Sequence, residues 1–154
     1  MNKTEAQISV RGLTVAYGDF VLLKNADFDI NKGDVFIIMG ASGGGKSSLL
    51  RVLTGLVPAA SGRILIDGVD FTAATENERA KIMQKCGILY QSGALFSSMT
   101  LAENIALPLR QYTDYSDKLI SELVSLKLAL VGLTGFEEFY PSEISGGMKK
   151  RAGL

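Results

Sequence analysis

The chain has 154 residues, with 16 Lys and Arg balancing 16 Asp and Glu, no histidine and one cysteine. That length suits one domain with its own core, and 47% hydrophobic against 21% charged residues excludes wholesale disorder. Zero net charge removes the basic excess that nucleic-acid binders need, and the lack of histidine excludes His metal sites and His general bases within the chain.

Cys86 cannot close an internal disulfide, which points to a reducing compartment, and it reads as a packing residue. Met1 to Gln7 lack the apolar core of a signal peptide. The uninterrupted apolar runs fall far short of the roughly 20 residues that cross a bilayer. A soluble, cytoplasmic chain is expected.

In chain order, Ile8, Val10, Leu13, Val15 and Tyr17, then Val21, Leu23, Ala26, Phe28 and Ile30, recur with period two around Gly18-Asp19. This predicts antiparallel strands with one wet face. After the turn signal Asn31–Asp34, the solidly apolar Val35 to Met39 predicts a strand covered on both faces in a parallel sheet. A helix is predicted from Lys46 to about Thr54, stopped by Gly55 and Pro58. Gly62 to Ile66 reads as a strand running into the turn Asp67-Gly68. An exposed helix over Glu76–Lys85 and a brief buried strand over Gly87–Tyr90 follow. Thr100 and Glu103 have capping-box spacing, which starts another helix. Ser116 to Val131 has helical spacing, with Gly132 as its stop.

The informative stretch is Gly40-Ala41-Ser42-Gly43-Gly44-Gly45-Lys46-Ser47, which fits Gly-x-x-x-x-Gly-Lys-Ser/Thr and runs on into Ser48. Backbone N–H groups must turn inward around phosphates, which demands residues that tolerate unusual dihedrals and carry no side chain. The helix that follows favours an anion at its N-terminus. Lys46 is placed to reach the β- and γ-phosphates, and the Ser47 hydroxyl to ligate Mg²⁺. The alternative is a flexible glycine turn, but a loop between an apolar strand and a helix is the context that phosphate binding requires.

Two further segments are weaker alone. Gln91 follows a short apolar strand, where its amide could touch a metal ion or attacking water, or simply sit in a loop. Ile144-Ser145-Gly146-Gly147-Met148, followed by Lys149-Lys150-Arg151, sets two glycines behind a serine at a helix start. That is an anion-binding corner or only a helix cap, and the basic run reads as a solvated helix face.

Together and in this order, the three segments resemble the nucleotide-binding domain of ABC ATPases. Gly40–Ser47 looks like the Walker A loop, Gln91 like the Q-loop glutamine, and Ile144–Met148 like the signature motif. Tyr17 is similar to the aromatic residue that stacks on adenine in that family, although a sheet-packing role is the alternative. Gln91-Ser92-Gly93-Ala94-Leu95-Phe96, with Met99-Thr100, Glu103-Asn104 and Pro108-Leu109, resembles more narrowly the ATPase subunit of MCE-type phospholipid transporters, as does Met148 at a position usually held by glutamine.

The resemblance implies an α/β P-loop NTPase with an N-terminal antiparallel β subdomain, an incomplete RecA-like core and a helical subdomain, truncated after the signature motif. The implied division is about 1–95 and about 96–154. It implies ATP and Mg²⁺ as cofactors, held by Tyr17, Gly40 to Ser48, Gln91, Ser145, Gly146 and Gly147, with Ser47 and Gln91 on the metal. Its implied partners are a second ATPase subunit, an integral membrane permease and an MCE-type lipid-binding protein, which place the chain at the cytoplasmic face of the inner membrane. The Ser92–Thr100 loop would transmit closure to the permease.

No Asp-Glu pair on an apolar strand follows the signature segment, and no catalytic residue is assigned. Ile64-Leu65-Ile66-Asp67 reads as a hairpin edge and Glu137-Glu138 as a solvated loop pair. Hydrolysis needs a positioned base for water, so the expectation is an ATPase parent and a chain with little or no turnover by itself. An ATPase of another importer and a non-catalytic nucleotide-binding module are the rival readings. Without parallel neighbours, Val35 to Met39 is expected to leave a bare apolar edge.

Overall fold

Strand β1 (Ala6–Tyr17) returns through Gly18-Asp19 into β2 (Phe20–Asn31), and Tyr17 pairs directly with Phe20. The structure, a computed structural model, describes residues 6–91 and 93–154. Of the sequence-derived expectations, those for Met1–Glu5 and for Ser92 lie outside the described residues. Strict alternation would turn Leu13 away from Val10, yet both are fully buried. The register shifts between them, and Gly12 sits at φ +56°. An extra residue in one strand re-aims the side chains that follow it, and glycine accommodates the positive φ.

Further along come α1 (Lys46–Leu53), β3 (Ser61–Ile66), β4 (Val69–Asp70) and α2 (Glu76–Met83). The four strands form one antiparallel sheet in the order β2-β1-β3-β4. Asp67 and Gly68 join β3 to β4 with φ of +48° and +76°, the primed turn expected of Asp-Gly. Val10, Leu13 and Val15 of β1 and Ile64 and Ile66 of β3 pack with Leu49 and Val52 of α1 and with Phe71. Helix α2 begins in a capping box, Thr75 with Glu78.

Two expected strands do not form. Val35 to Met39 carries no ladder pairing, and Val35, Ile37 and Met39 are 89%, 70% and 84% exposed. One face is nonetheless used, with Phe36 stacked on Phe28 at 5.1 Å and Ile38 packed against the core. A strand exists only when neighbours accept from its N–H groups and donate to its C=O groups, and the described residues provide none here. Gly87 to Tyr90 fails as a buried strand for the same reason, and Ile88, Leu89 and Tyr90 are exposed. Cys86 is likewise exposed rather than packed.

Residues divide into two compact units, Met1–Gly87 and Ile88–Leu154. The second contains α3 (Leu101–Tyr112), α4 (Asp117–Leu130), a 3₁₀ turn (Pro141–Glu143) and α5 (Gly146–Ala152). Thr100 Oγ1 accepts from Glu103 N–H at 3.2 Å, and Glu103 Oε2 accepts from Thr100 N–H at 2.8 Å, closing the predicted capping box. Helix α4 ends where Gly132 adopts φ +67°, with Leu133 N–H donating to Leu128 C=O at 2.8 Å. This is a glycine-terminated helix end, and it delivers Leu133 into a core of Leu101, Ala106, Ile120, Val124, Leu128 and Ile144. No helix among the described residues is long and apolar enough to cross a membrane.

Candidate nucleotide site

The glycine loop is positioned by what flanks it. Upstream, Phe36 and Ile38 hold the chain against the sheet; downstream, Leu49 and Val52 bury one face of α1. Between them, Gly40 to Gly44 are exposed. Gly43 and Gly45 sit at φ +80° and +79°, a region that costs other L-residues roughly 1–2 kcal/mol. Gly44 N–H donates to Ala41 C=O at 3.1 Å, and a Cβ on Gly44 would meet that same oxygen at 3.1 Å. The loop is therefore tight as well as glycine-rich.

Helix α1 starts at Gly45 with no side chain capping it. Helix starts carry orphan N–H donors and a partial positive charge, which here open toward the loop rather than onto a serine or aspartate. Lys46 Nζ bridges the loop, donating to Gly40 C=O at 2.9 Å and to Ala41 C=O at 2.7 Å. An ammonium has three N–H donors, and these two bonds hold it over the backbone it would share with phosphate. Ser47 is exposed in the first turn, with Ser48 half-buried beside it. Residues 35–66 contain no carboxylate, so nothing in that stretch repels an anion.

Tyr17 lies at the hairpin tip, 44% exposed. The tip is tied to the loop through Leu22, whose Cβ is 3.5 Å from where a Gly45 Cβ would stand. Leu22 is the extra residue of a β2 irregularity, because Ala16 pairs with Val21 but Val15 with Leu23. Tyr17 and Gly40–Ser48 thus belong to one unit.

Gln91 and Ser145–Gly147 belong to the other. Gln91 is exposed in a turn. Ser145 Oγ accepts from Met148 N–H at 3.3 Å as the N-cap of α5, while Gly146 and Gly147 stay exposed. Ile144 is buried, and Met148 packs against the same core, so the segment is anchored by its apolar ends and open at its glycines. Of the basic run, Arg151 is not simply solvated. Its Nη1 donates to the carbonyls of Val131 and Gly132, at 2.5 and 3.1 Å, where a cation complements the end of α4. Glu137 and Phe139 turn their carbonyls to the N–H groups of Ala102 and Leu101, both at 2.9 Å.

Two residues with no assigned role prove structural to this region. Gly93 is buried at φ +81°, and a Cβ there would come within 2.6 Å of Lys149 C=O in α5. Asn104 accepts from Phe96 N–H at 2.7 Å and donates to Phe96 C=O at 3.1 Å and Thr100 C=O at 2.8 Å. It thereby fixes the backbone of Phe96 onto α3. The sequence signal was an asparagine inside a helix, a position it disfavours unless its amide is used.

The family model for ABC transporters matches residues 23–154. The chain belongs to the ABC transporter family. Over 96% of its length it is 46% identical to the "Probable ribonucleotide transport ATP-binding protein mkl" of Mycobacterium leprae. It is 40% identical over the same share to the "Intermembrane phospholipid transport system ATP-binding protein MlaF" of Haemophilus influenzae. This ABC chain spans about half the length of those relatives, 42% and 56% respectively. A dimeric ATP-binding cassette solved in a post-hydrolysis state with ADP and Pi superposes with a TM-score of 0.86 at 28% identity, covering 95% of this chain and 66% of the other. The fold is thus that of an ABC ATPase cassette, within which the glycine loop, Gln91 and the Ser145 segment are the candidate site residues.

Proposed function

We propose that the chain binds Mg-ATP as part of the ATP-binding subunit of an ABC transporter that moves phospholipid across the cell envelope. The observation that carries this is the loop itself: a turn with Gly43 and Gly45 at positive φ and Gly44 tight against Ala41, an uncapped helix behind it, and Lys46 Nζ poised on Gly40 and Ala41. Such a loop fits a triphosphate. The amides of Gly43 to Ser48 receive the phosphate oxygens, Lys46 supplies a point charge, and Ser47 offers a hydroxyl to Mg²⁺, which takes its other ligands from phosphates and water. Tyr17 stacks on the adenine. By the family resemblance, Gln91 has the role of touching the metal or the attacking water.

In a dimer of complete subunits, Ser145, Gly146 and Gly147 of one would close on the γ-phosphate held by its partner. ATP offers that phosphate to both halves and ADP does not, so the nucleotide biases a two-state dimer. Residues 35–66 have no carboxylate, so a base for water has to come from outside that stretch. The complete subunit sits on the cytoplasmic face of the inner membrane, held by a permease and served by an MCE-type lipid-binding protein. Similarity to the Haemophilus phospholipid-transport protein supports the lipid reading.

A ribonucleotide transporter is the second reading, favoured by the name of the mycobacterial relative. The nucleotide site does not choose between them, because it holds the fuel and not the cargo. Calorimetry with Mg-ATP tests the binding claim: no heat from folded chain overturns it. Purification of the complete subunit from its native membrane tests the cargo. Co-eluting phospholipid-binding protein supports the lipid reading, and a permease that takes up ribonucleotide overturns it.

A further inference from the structure

We propose that the outer face of α4 is a docking seam for the same helix of a second copy of this chain, laid alongside it in parallel. Helix α4 has two apolar faces. Ile120, Val124 and Leu128 bury one of them in the core of the second unit. Leu119, Leu123, Leu126 and Leu130 form the other, roughly a third of the way round the helix at 3.6 residues per turn. Leu119, Leu126 and Leu130 are 39%, 53% and 72% exposed, and Leu123 is half-buried. A surface helix with one core face carries polar residues opposite it, and leucines scattered singly on a surface need no explanation. A row spaced by four, three and four residues does, because that is the a/d repeat of a helix seam.

The charges beside the row say what fits it. With Leu119 and Leu126 as d and Leu123 and Leu130 as a, Glu122 is the g residue on one edge and Lys127 the e residue on the other. Both are exposed, and neither makes an ion pair among the described residues. In a parallel pair of helices a g residue faces the e residue five positions on in its neighbour, and Glu122 to Lys127 is that step. A second copy therefore forms the ion pair twice, once in each direction. An antiparallel copy would set Glu122 against Glu122 and Lys127 against Lys127, which repel. Ala129, at the remaining g position, is small enough for the helices to close. A seam of four leucines per copy is small beside the roughly 1,200–2,000 Å² of a stable interface, so the association is weak and depends on concentration.

The test is sedimentation equilibrium of the full chain across the micromolar range, beside Leu126→Lys, Glu122→Lys, Lys127→Glu and the double variant with both charge exchanges. It is made without nucleotide, so that no dimer closing on ATP contributes. The parent should dimerise reversibly, and Leu126→Lys should stay monomeric. Each single charge exchange should weaken the dimer by roughly tenfold, and the double variant should regain the parent's affinity. The two single variants, mixed, should pair with each other as tightly as the parent pairs with itself. All three side chains are exposed, so circular dichroism should show every variant as folded as the parent. A parent that is monomeric throughout, a dimer unchanged by Leu126→Lys, or a dimer indifferent to the single charge exchanges overturns the proposal. Mixed single variants that pair more tightly than the parent overturn it too, since that is the signature of an antiparallel copy.

Discussion

Replacing Lys46 by alanine removes the one charged group that the structure places on the loop. In the free chain its ammonium makes two bonds, 2.9 Å to Gly40 C=O and 2.7 Å to Ala41 C=O. Both are solvent-exposed, so each contributes about 1 kcal/mol or less, and water replaces them without strain. With a triphosphate bound, the same group makes charge-assisted bonds to the β- and γ-oxygens, each about 1.5–3 kcal/mol net. Subtracting the roughly 2 kcal/mol given up leaves about 1–4 kcal/mol of binding energy, a loss of roughly 5- to 1,000-fold in ATP affinity. Calorimetry of Lys46→Ala against the parent measures this, with circular dichroism showing both equally folded. Lys46→Arg should recover only part of the loss, because a planar fork replaces a point charge. Unchanged affinity in a folded Lys46→Ala variant would refute the phosphate-clamp reasoning.

Other expectations concern the scaffold. Gly93→Ala puts a methyl 2.6 Å from Lys149 C=O at φ +81° and should lower the melting temperature of the second unit by several degrees; an unchanged melt would mean that the segment does not seat on α5. Thr100→Ala removes a buried half of the α3 capping box and should cost about 1 kcal/mol in denaturant titration, with no cost expected if the cap is idle. Hydrogen bonds from the Thr75 backbone and hydroxyl hold the Glu78 carboxyl below its ordinary 4.5. Its contribution to α2 is complete above that value and is lost as pH falls through the lowered one. Amide exchange in α2 should therefore accelerate only below about pH 4.5, and an acid response identical in Thr75→Ala would count against the cap. Ile37→Lys, on the bare face of Val35–Met39, should delay aggregation seen by light scattering; an earlier onset would show that this face is covered in solution.

Local rules made much of the molecule legible in advance. Period two marked β1 and β2, Asp67-Gly68 marked the turn before β4, Thr100 and Glu103 marked the start of α3, and Gly132 marked the end of α4, because each depends on residues a few positions apart. The conformation of the glycine loop was legible for the same reason, since positive φ at Gly43 and Gly45 is written directly as glycine. Tertiary structure alone decided what depends on distant neighbours. Val35 to Met39 and Ile88 to Tyr90 have the composition of buried strands but pair with nothing among the described residues, since ladder bonds need a second chain segment that composition does not announce. The bulge at Gly12, which returns Leu13 to the core, the seat of Gly93 on α5, and the bond from Arg151 to the end of α4 likewise arise only when segments far apart in sequence meet. The sequence thus determined the local conformation of the glycine loop; packing determined which residues stand around it.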